Sequence, residues 1–191
     1  MVSTCKVDVH KKYLLYGETE IKCGGKSTAR PSLFDTGAGI SHMSYGLWLE
    51  MGLDEVLFND NPPLMHLLKI NSKDDFTFDN LPMTAQESTL GDKTKIKVYE
   101  FCLDSLTLGV RSLGSSPIHL ENITVRLMSP LEADFFVGWN VLKYLKISYD
   151  PTPQSAVCTF ELTHGGEMLL ADDRKKRLAN HMERRFNYLE V

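Results

Sequence analysis

An acidic residue follows an apolar run in residues 33–38, which read Leu-Phe-Asp-Thr-Gly-Ala. The two bulky apolar residues predict the end of a buried strand, and Gly37 permits a backbone turn that a residue with a Cβ would resist. Asp35 is therefore expected at the edge of the core. A carboxylate in that position is costly unless a hydrogen bond or a reaction uses its charge. Asp35 is thus the first candidate for acid–base chemistry.

A second segment has a related pattern. Residues 135–142 read Phe-Phe-Val-Gly-Trp-Asn-Val-Leu, so apolar residues again run into a glycine turn. The repetition is what an internally pseudo-symmetric domain would give. A strand ending before Gly138, followed by a short helix that continues to Lys146, is predicted here.

In this order, the two segments resemble the motifs of retropepsin-like (retroviral-type) aspartic proteases. Those proteins carry an Asp-Thr-Gly-Ala loop and, later, an apolar strand that runs into Gly-x-Asn/Asp-x-Leu before a short helix. The matching residues are Asp35, Thr36, Gly37 and Ala38 in the active-site loop, and Gly138 and Asn140 in a supporting loop. The resemblance covers roughly residues 5–162. It implies a mostly β, retropepsin-like closed β-barrel (the acid-protease fold) with one or two short helices and a C-terminal helix.

The resemblance also implies the activity of an aspartic endopeptidase. Two carboxylates that share one proton activate a water molecule, because like charges in contact cannot both ionise. The sequence contains one Asp-Thr-Gly, so the second Asp35 must come from a second copy related by two-fold symmetry. The expected partners are a homodimer mate, with Thr36 bonded across the interface, and a peptide or protein substrate. No cofactor and no metal are expected.

Two residues carry further expectations: Ala38, which belongs to the matched loop, and Trp139, which departs from the family pattern. Relatives with serine at the position of Ala38 can place a hydroxyl on the carboxylate and stabilise its charged form. Alanine cannot, so we expect a working pH nearer neutral than that of acid proteases. Trp139 stands where arginine is common in the family, so one salt bridge that supports the dimer is expected to be missing.

Strand patterns dominate the rest of the chain. Residues 5–34 predict strands with a hairpin tip at Gly24-Gly25, residues 117–128 predict two strands, and residues 147–162 predict a closing hairpin. A long hairpin over residues 81–108 is assigned by the resemblance as the flap, near 84–98, that closes over bound peptide. Its tip would contain Leu90 and Gly91, and Ile40 and Leu90 are candidate pocket residues.

Two further helices are predicted. Ser41 can cap a helix with Met43, Leu47 and Met51 on its apolar stripe, ended by Gly52. His42 would then lie on the surface at the start of this helix, with no catalytic role. Near the end of the chain, Asp172 can cap a helix with an apolar stripe formed by Leu178, Met182, Phe186 and Leu189.

The chain is expected to hold one main domain. Residues 1–165 are predicted to form the protease domain, with an insertion at about 54–80 because the two motifs lie far apart. Residues 166–191 are predicted to form a helical extension that packs against this domain or against the partner subunit.

Composition excludes several classes of partner. The net charge of −4 gives no reason to expect nucleic acid, and no apolar run approaches the roughly 18 residues that a membrane span needs. Lysines near the N-terminus argue against a secretory signal, so a cytoplasmic location is predicted. The four separated cysteines, Cys5, Cys23, Cys102 and Cys158, predict reduced thiols rather than disulfides or a zinc site.

Two other interpretations stay open. The first is a catalytically inactive retropepsin-like module that dimerises or binds peptides without cleaving them. The second is a monomer in which Asp35 only caps a turn.

Overall fold

Strands form most of the regular structure in the computed structural model, which describes residues 3–9, 14–110, 116–131, 133–151, 156–180 and 186–189. The strands are β1 Ser3–Val9, β2 Leu15–Cys23, β3 Lys26–Phe34, β4 Ser41–Ser44, β5 Ala85–Thr89, β6 Lys95–Leu108, β7 Ile118–Met128, β8 Phe135–Val137, β9 Leu145–Pro151 and β10 Ala156–Leu162. The helices are α1 Tyr45–Glu50, α2 Leu53–Asp60, α3 Pro62–Leu67, α4 Trp139–Leu142 and α5 His164–Asn180. Two 3-10 turns, Lys73–Asp75 and Phe78–Asn80, follow α3.

The sheet closes on itself. Its strand order is β5-β6-β7-β4-β8-β3-β2-β1-β10-β9, and an additional antiparallel pairing joins β2 to β6. The six strands from β6 to β2 therefore form a closed barrel. Apolar side chains from these strands, including Ile21, Leu103, Val125 and Phe135, are fully buried in one core. The predicted mostly β, closed-barrel architecture with short helices and a C-terminal helix is confirmed.

The first hairpin owes its tight turn to two glycines. Gly24 and Gly25, between β2 and β3, have φ angles of 60° and 74°. Two residues with positive φ give the turn whose twist matches that of paired strands. The turn directs β3 back along β2, and β3 ends at the buried Phe34, directly before Asp35. The predicted hairpin and buried strand end are confirmed.

The prediction that Ser41 caps a helix is wrong. Ser41 lies in β4, and Ser44 caps α1 by accepting a hydrogen bond from the backbone N–H of Leu47 at 3.0 Å. Met43 also belongs to the strand. The reason is a contact distant in sequence, because the backbone N–H and hydroxyl of Ser41 both bind the side chain of Asn140.

Two other element boundaries differ from prediction. Residues 118–128 form the single strand β7 rather than two strands, although Asn122 has a φ of 54°. Pairing with β6 resumes in the same register on both sides of Asn122, so the strand continues. The helix after Gly138 ends at Leu142 instead of reaching Lys146, because β9 begins at Leu145.

The C-terminal part of the chain also differs from prediction. Helix α5 begins at His164, eight residues before the predicted cap at Asp172. Phe186 does not continue the helix: it is fully buried and forms a β-bridge with Phe101. Leu189 follows in this extended segment, whereas Met182 and the side chain of Leu178 lie outside the described residues. The division at residues 165 and 166 and the insertion at 54–80 stay predictions.

Residues 186–189 lie against the base of the β5–β6 hairpin. Tyr188 forms a β-bridge with Met83, and the backbone N–H of Thr84 donates to the carbonyl oxygen of Asn187 at 2.6 Å. The side-chain amide of Asn187 donates to the carbonyl oxygen of Glu100 at 3.1 Å. We call residues 186–189 the tail segment. It fills the space between the two strands where the hairpin leaves the barrel.

None of the helices in the described part of the chain combines the length and the apolar character that crossing a bilayer requires.

Candidate active site

The Asp35 loop is fixed at the end of β3. The backbone N–H of Asp35 donates to the carbonyl oxygen of Val137 at 3.0 Å, so the loop starts against the end of β8. The Oδ1 atom of Asp35 accepts a hydrogen bond from the backbone N–H of Gly37 at 2.8 Å. The carboxylate is half-buried. It is therefore held by its own loop at the edge of the core, where the sequence places it.

The second motif lies directly against this loop. The backbone N–H of Trp139 donates to the carbonyl oxygen of Ala38 at 2.7 Å, and that of Asn140 donates to the carbonyl oxygen of Gly39 at 3.0 Å. Because β3 and β8 are parallel neighbours, both turns leave the same end of the sheet. The structure thus brings the two predicted site segments together, although about a hundred residues separate them in the sequence.

The side chain of Asn140 joins three segments of the chain. Its Oδ1 atom accepts hydrogen bonds from the backbone N–H of Ser41 at 2.8 Å and from the Ser41 hydroxyl at 2.9 Å. Its Nδ2 atom donates to the carbonyl oxygen of Thr124 at 2.8 Å. The Ser41 hydroxyl in turn accepts from the backbone N–H of Gly138 at 3.0 Å. This set of four contacts, which we call the Asn140 network, holds the loop between Asp35 and β4.

Gly138 is required by a close approach of two backbones. A Cβ atom at this position would lie 2.5 Å from the carbonyl carbon of Ile40 and 2.8 Å from the backbone nitrogen of Ser41. Real Cβ atoms do not come so close to backbone atoms, so any other residue would push the two turns apart. Gly138 therefore permits the contact on which the geometry of the Asp35 loop depends.

A cavity of about 640 Å³ opens beside Asp35. It lies between the Asp35 loop and the tip of the β5–β6 hairpin and is lined by Asp35, Gly37, Ala38, Gly39, Ile40, His42, Ser88, Thr89, Leu90, Gly91, Arg126, Met128, Pro130, Leu131 and Phe136. Among the described lining residues, Asp35 is the only carboxylate. The candidate tip residues Leu90 and Gly91 and the candidate pocket residue Ile40 all line the cavity.

Thr36 and Trp139 lie outside the cavity lining, as do Gly138 and Asn140. Thr36 is exposed. Trp139, at the position where the family resemblance suggests arginine, is also exposed, with 49% of its surface accessible. These two side chains lie on the surface beside Asp35 and are accessible to another molecule.

His42 has a different position from the one predicted. It lies in β4 and not at a helix start, and it is half-buried in the cavity wall with its ring edge-to-face against Phe136, 6.4 Å between ring centroids. Burial lowers the pKa of His42 to about 4, and the positive charge of Arg126 acts in the same direction, whereas Asp35 partly opposes both. Its buried Nδ1 atom has no hydrogen-bond partner among the described residues.

Arg126 is the charged lining residue that sequence reasoning missed. Ile123, Val125 and Leu127 of β7 are fully buried, so strand alternation turns Arg126 to the opposite face, toward the cavity. That alternation is visible in the sequence. The neighbours of β7 in the sheet are not, and they determine what Arg126 faces.

Among the described residues, no group of three or more His, Cys, Asp or Glu side chains is arranged to hold a metal ion.

The chain is similar in structure to a retropepsin-like aspartic protease from Rickettsia conorii, known from a crystal structure. The two structures superpose with a TM-score of 0.50 at 12% sequence identity, over 85% of this chain and 94% of that chain. No family model matches the sequence, and no curated protein matches it. At this identity the likeness concerns the fold alone. The chain has the retropepsin-like fold, as the two sequence motifs predicted.

Proposed function

We propose that this protein is an aspartic endopeptidase that works as a homodimer, with Asp35 from each copy forming the catalytic pair. One observation carries the proposal: the Asp35 loop is hydrogen-bonded to the Gly138–Asn140 turn at the edge of a cavity that holds no other described carboxylate. A rigidly held carboxylate beside a cavity covered by a hairpin suits the hydrolysis of an extended peptide.

Hydrolysis of a peptide bond needs a base that deprotonates the attacking water and an acid that protonates the carbonyl oxygen. One Asp35 carboxylate, ionised, takes a proton from water as the water oxygen attacks the carbonyl carbon. The other, protonated, gives its proton to the carbonyl oxygen. Collapse of the resulting tetrahedral intermediate returns a proton to the leaving nitrogen and breaks the C–N bond. The two carboxylates hold one proton between them because two like charges in contact cannot both ionise.

The surface beside Asp35 supports a two-copy arrangement. Thr36, Gly37 and Gly39 are exposed, and Trp139 next to them presents a large apolar side chain to solvent. Exposed aromatic residues are enriched where proteins associate. In the proposed dimer this surface meets its symmetry mate, and Thr36 and Gly37 help to orient the carboxylate pair.

The β5–β6 hairpin is proposed to act as the flap. Residues at its tip, including Leu90 and Gly91, line the cavity opposite the Asp35 loop. An extended peptide bound beneath the tip would be shielded from bulk water, which strengthens the electrostatic interactions that stabilise the transition state. The peptide backbone would be bonded in the manner of an added strand.

The test compares wild type with Asp35→Asn on a mixed peptide library, with cleavage products identified by mass spectrometry. Wild type should cleave, and Asp35→Asn should not. Asp79→Asn serves as the matched control, because Asp79 is exposed and does not line the cavity. Equal cleavage by wild type and Asp35→Asn would assign the activity to something other than Asp35. Sedimentation of both proteins should show dimers, and a wild type that remains a monomer at every concentration contradicts the paired mechanism.

The hydrogen bond between Asp35 and Gly37 favours a second candidate function. Because Asp35 Oδ1 accepts from the backbone N–H of Gly37 at 2.8 Å, the residue has a structural role in its own turn without any reaction. A peptide-binding module without turnover would keep that contact. Such a module binds library peptides equally with and without the Asp35→Asn change and releases no products.

A further inference from the structure

The cavity lining combines apolar side chains with two basic ones. Ile40, Met128 and Phe136 are among its apolar members, and His42 and Arg126 interrupt this surface. A basic group beside a largely apolar cavity loses part of its hydration, so it needs a function or a partner. The question is which ligand such a lining would recognise.

The two basic residues lie side by side on one face of the sheet. His42 on β4 is the register partner of Arg126 on β7 and of Phe136 on β8. Register partners on neighbouring strands project from the same face, close enough for their side chains to interact. An arginine, a histidine and a phenylalanine therefore form a row across the sheet beside Asp35.

The guanidinium of Arg126 is only partly occupied. Its Nε atom lies 3.4 Å from Oε2 of Glu100, its cross-strand neighbour, and its Nη1 atom lies 3.3 Å from the hydroxyl of Ser88. Charge-assisted hydrogen bonds of full strength are shorter, about 2.7–2.9 Å. Within the described residues, Nη2 makes no hydrogen bond. Arg126 can therefore bind a further acceptor without releasing Glu100.

At neutral pH, Arg126 supplies the positive charge of the lining. Burial and the charge of Arg126 keep the pKa of His42 at about 4, so its ring is uncharged and adds hydrogen-bonding capacity only. Two negative charges oppose an acidic ligand, those of Glu100 and Asp35. A ligand carboxylate hydrogen-bonded to Arg126 at about 3 Å would orient away from both like charges, and the Coulomb energy falls with separation, so we expect the contact to Arg126 to outweigh them.

We infer that the cavity binds an acidic side chain of the peptide, glutamate in particular, with its carboxylate on Arg126 and its methylene groups against Met128 and Phe136. Glutamate fits because it joins an apolar stem to a planar acceptor pair that matches a guanidinium. This inference rests on the proposed function for its substrate, since it specifies which peptides that site would select. Peptides with glutamate near the scissile bond are the expected substrates.

The test measures binding with the Asp35→Asn protein, so that no peptide is consumed. The probes are fluorescein-labelled decapeptides of mixed apolar residues, in which each of the four central positions carries Glu, Gln, Leu or Lys in turn. Affinity is read from fluorescence polarisation. The same peptides are incubated with wild type and analysed for cleavage. Arg126→Met is combined with Asp35→Asn, and Arg30→Met is the matched control, because Arg30 pairs with Glu50 and does not line the cavity.

At one central position, glutamate should bind at least fivefold more tightly than leucine and glutamine, an advantage of the size expected for one charge-assisted contact. Arg126→Met should abolish this advantage, and Arg30→Met should retain it. If circular dichroism shows that Arg126→Met does not fold, Arg126→Gln takes its place, because it keeps a donor for Glu100 and removes the charge. The advantage should also shrink as salt is raised from 50 to 500 mM.

A glutamate advantage below fivefold, or one that survives the loss of Arg126, overturns the inference. The proposed protease function and the glutamate subsite at Arg126 fail in different ways. Wild type that cleaves peptides without an Arg126-dependent preference for glutamate retains the proposed protease function and loses the inference. Arg126-dependent binding of glutamate peptides without cleavage by wild type retains the acidic subsite and refutes the protease.

Discussion

Truncation of Asn140 tests the network that holds the Asp35 loop. Asn140→Ala removes three hydrogen bonds at once: two from Ser41 to Oδ1 and one from Nδ2 to the carbonyl oxygen of Thr124. Ser41 is fully buried, so its backbone N–H is left without a partner and without water. An orphaned buried donor costs about 1–3 kcal/mol, and each ordinary hydrogen bond contributes about 1 kcal/mol. We expect Asn140→Ala to lower the free energy of unfolding by about 3 kcal/mol.

Asn140→Asp separates the two halves of this effect. Aspartate keeps an acceptor for both Ser41 donors but places an oxygen, not a donor, opposite the carbonyl oxygen of Thr124, so Asn140→Asp should destabilise through the Thr124 contact alone. A double-mutant cycle with Ser41→Ala isolates the shared contact, and we expect a coupling of about 1–2 kcal/mol. Exposed Asn59→Ala is the control and should change stability by less than about 0.5 kcal/mol.

The assay is denaturant unfolding at one fixed protomer concentration, because the stability of an associating protein depends on concentration. Peptide cleavage provides a second measurement, and displacement of the Asp35 loop should lower kcat/KM by about 10- to 100-fold. An Asn140→Ala protein within about 1 kcal/mol of wild type, or no coupling to Ser41, would refute the assignment of this network as the support of the loop.

Three further changes test the close backbone contact at Gly138, the burial of the His42 ring and the packing of the tail segment through Phe186. Gly138→Ala should destabilise by about 2–3 kcal/mol through overpacking against backbone, whereas Gly91→Ala, which has open space around it, should change stability little. The pKa of His42 is 6.5 in the unfolded chain and about 4 in the folded protein, so protonation between these values favours unfolding. As the pH falls from 6.5 to 4, the free energy of unfolding of wild type should therefore decrease by about 2 kcal/mol more than that of His42→Gln, after allowance for solvent screening. Phe186→Ala should cost about 3–5 kcal/mol in denaturant unfolding, since the ring is fully buried, and exposed Leu189→Ala should cost less than about 1 kcal/mol.

Each of these changes has a contradicting result. Equal unfolding midpoints for the alanine variants of Gly138 and Gly91 would mean that the two turns can separate without cost. Parallel pH profiles of wild type and His42→Gln would show that His42 is solvated in the folded protein. A Phe186→Ala protein as stable as Leu189→Ala would show that the tail segment contributes little to the core.

The two motif turns are the part of the site that the sequence predicts well. Apolar runs ending in glycine identify the ends of β3 and β8 from local information alone, and the family resemblance supplies the expectation that they meet. Ser41 shows where such reasoning ends. A serine before an apolar stripe can cap a helix or join a sheet, and Asn140, distant in the sequence, decides between them.

The row formed by Arg126, His42 and Phe136 could not be predicted for a similar reason. Alternation in β7 indicates that Arg126 faces away from the core, but its neighbours depend on the order β7-β4-β8, which includes a parallel pairing of β4 with β7. Phe186 illustrates the converse error. Its spacing from Leu178 and Met182 fits a helical stripe, yet the ring packs on Phe101, 5.9 Å between ring centroids. For Arg126 the local period is right but its neighbours come from pairings between distant segments, whereas for Phe186 such a pairing overrides the local period.

The tail segment has a consequence for the timing of synthesis. Met83 and Phe101 leave the ribosome well before Phe186 and Tyr188, the residues that complete the base of the hairpin between them. The base of the hairpin is therefore complete only after the tail segment has emerged and docked. If the hairpin acts as the flap, proteolytic activity can begin only after residue 188 has been translated. The preceding residues are then synthesised before the active site is complete.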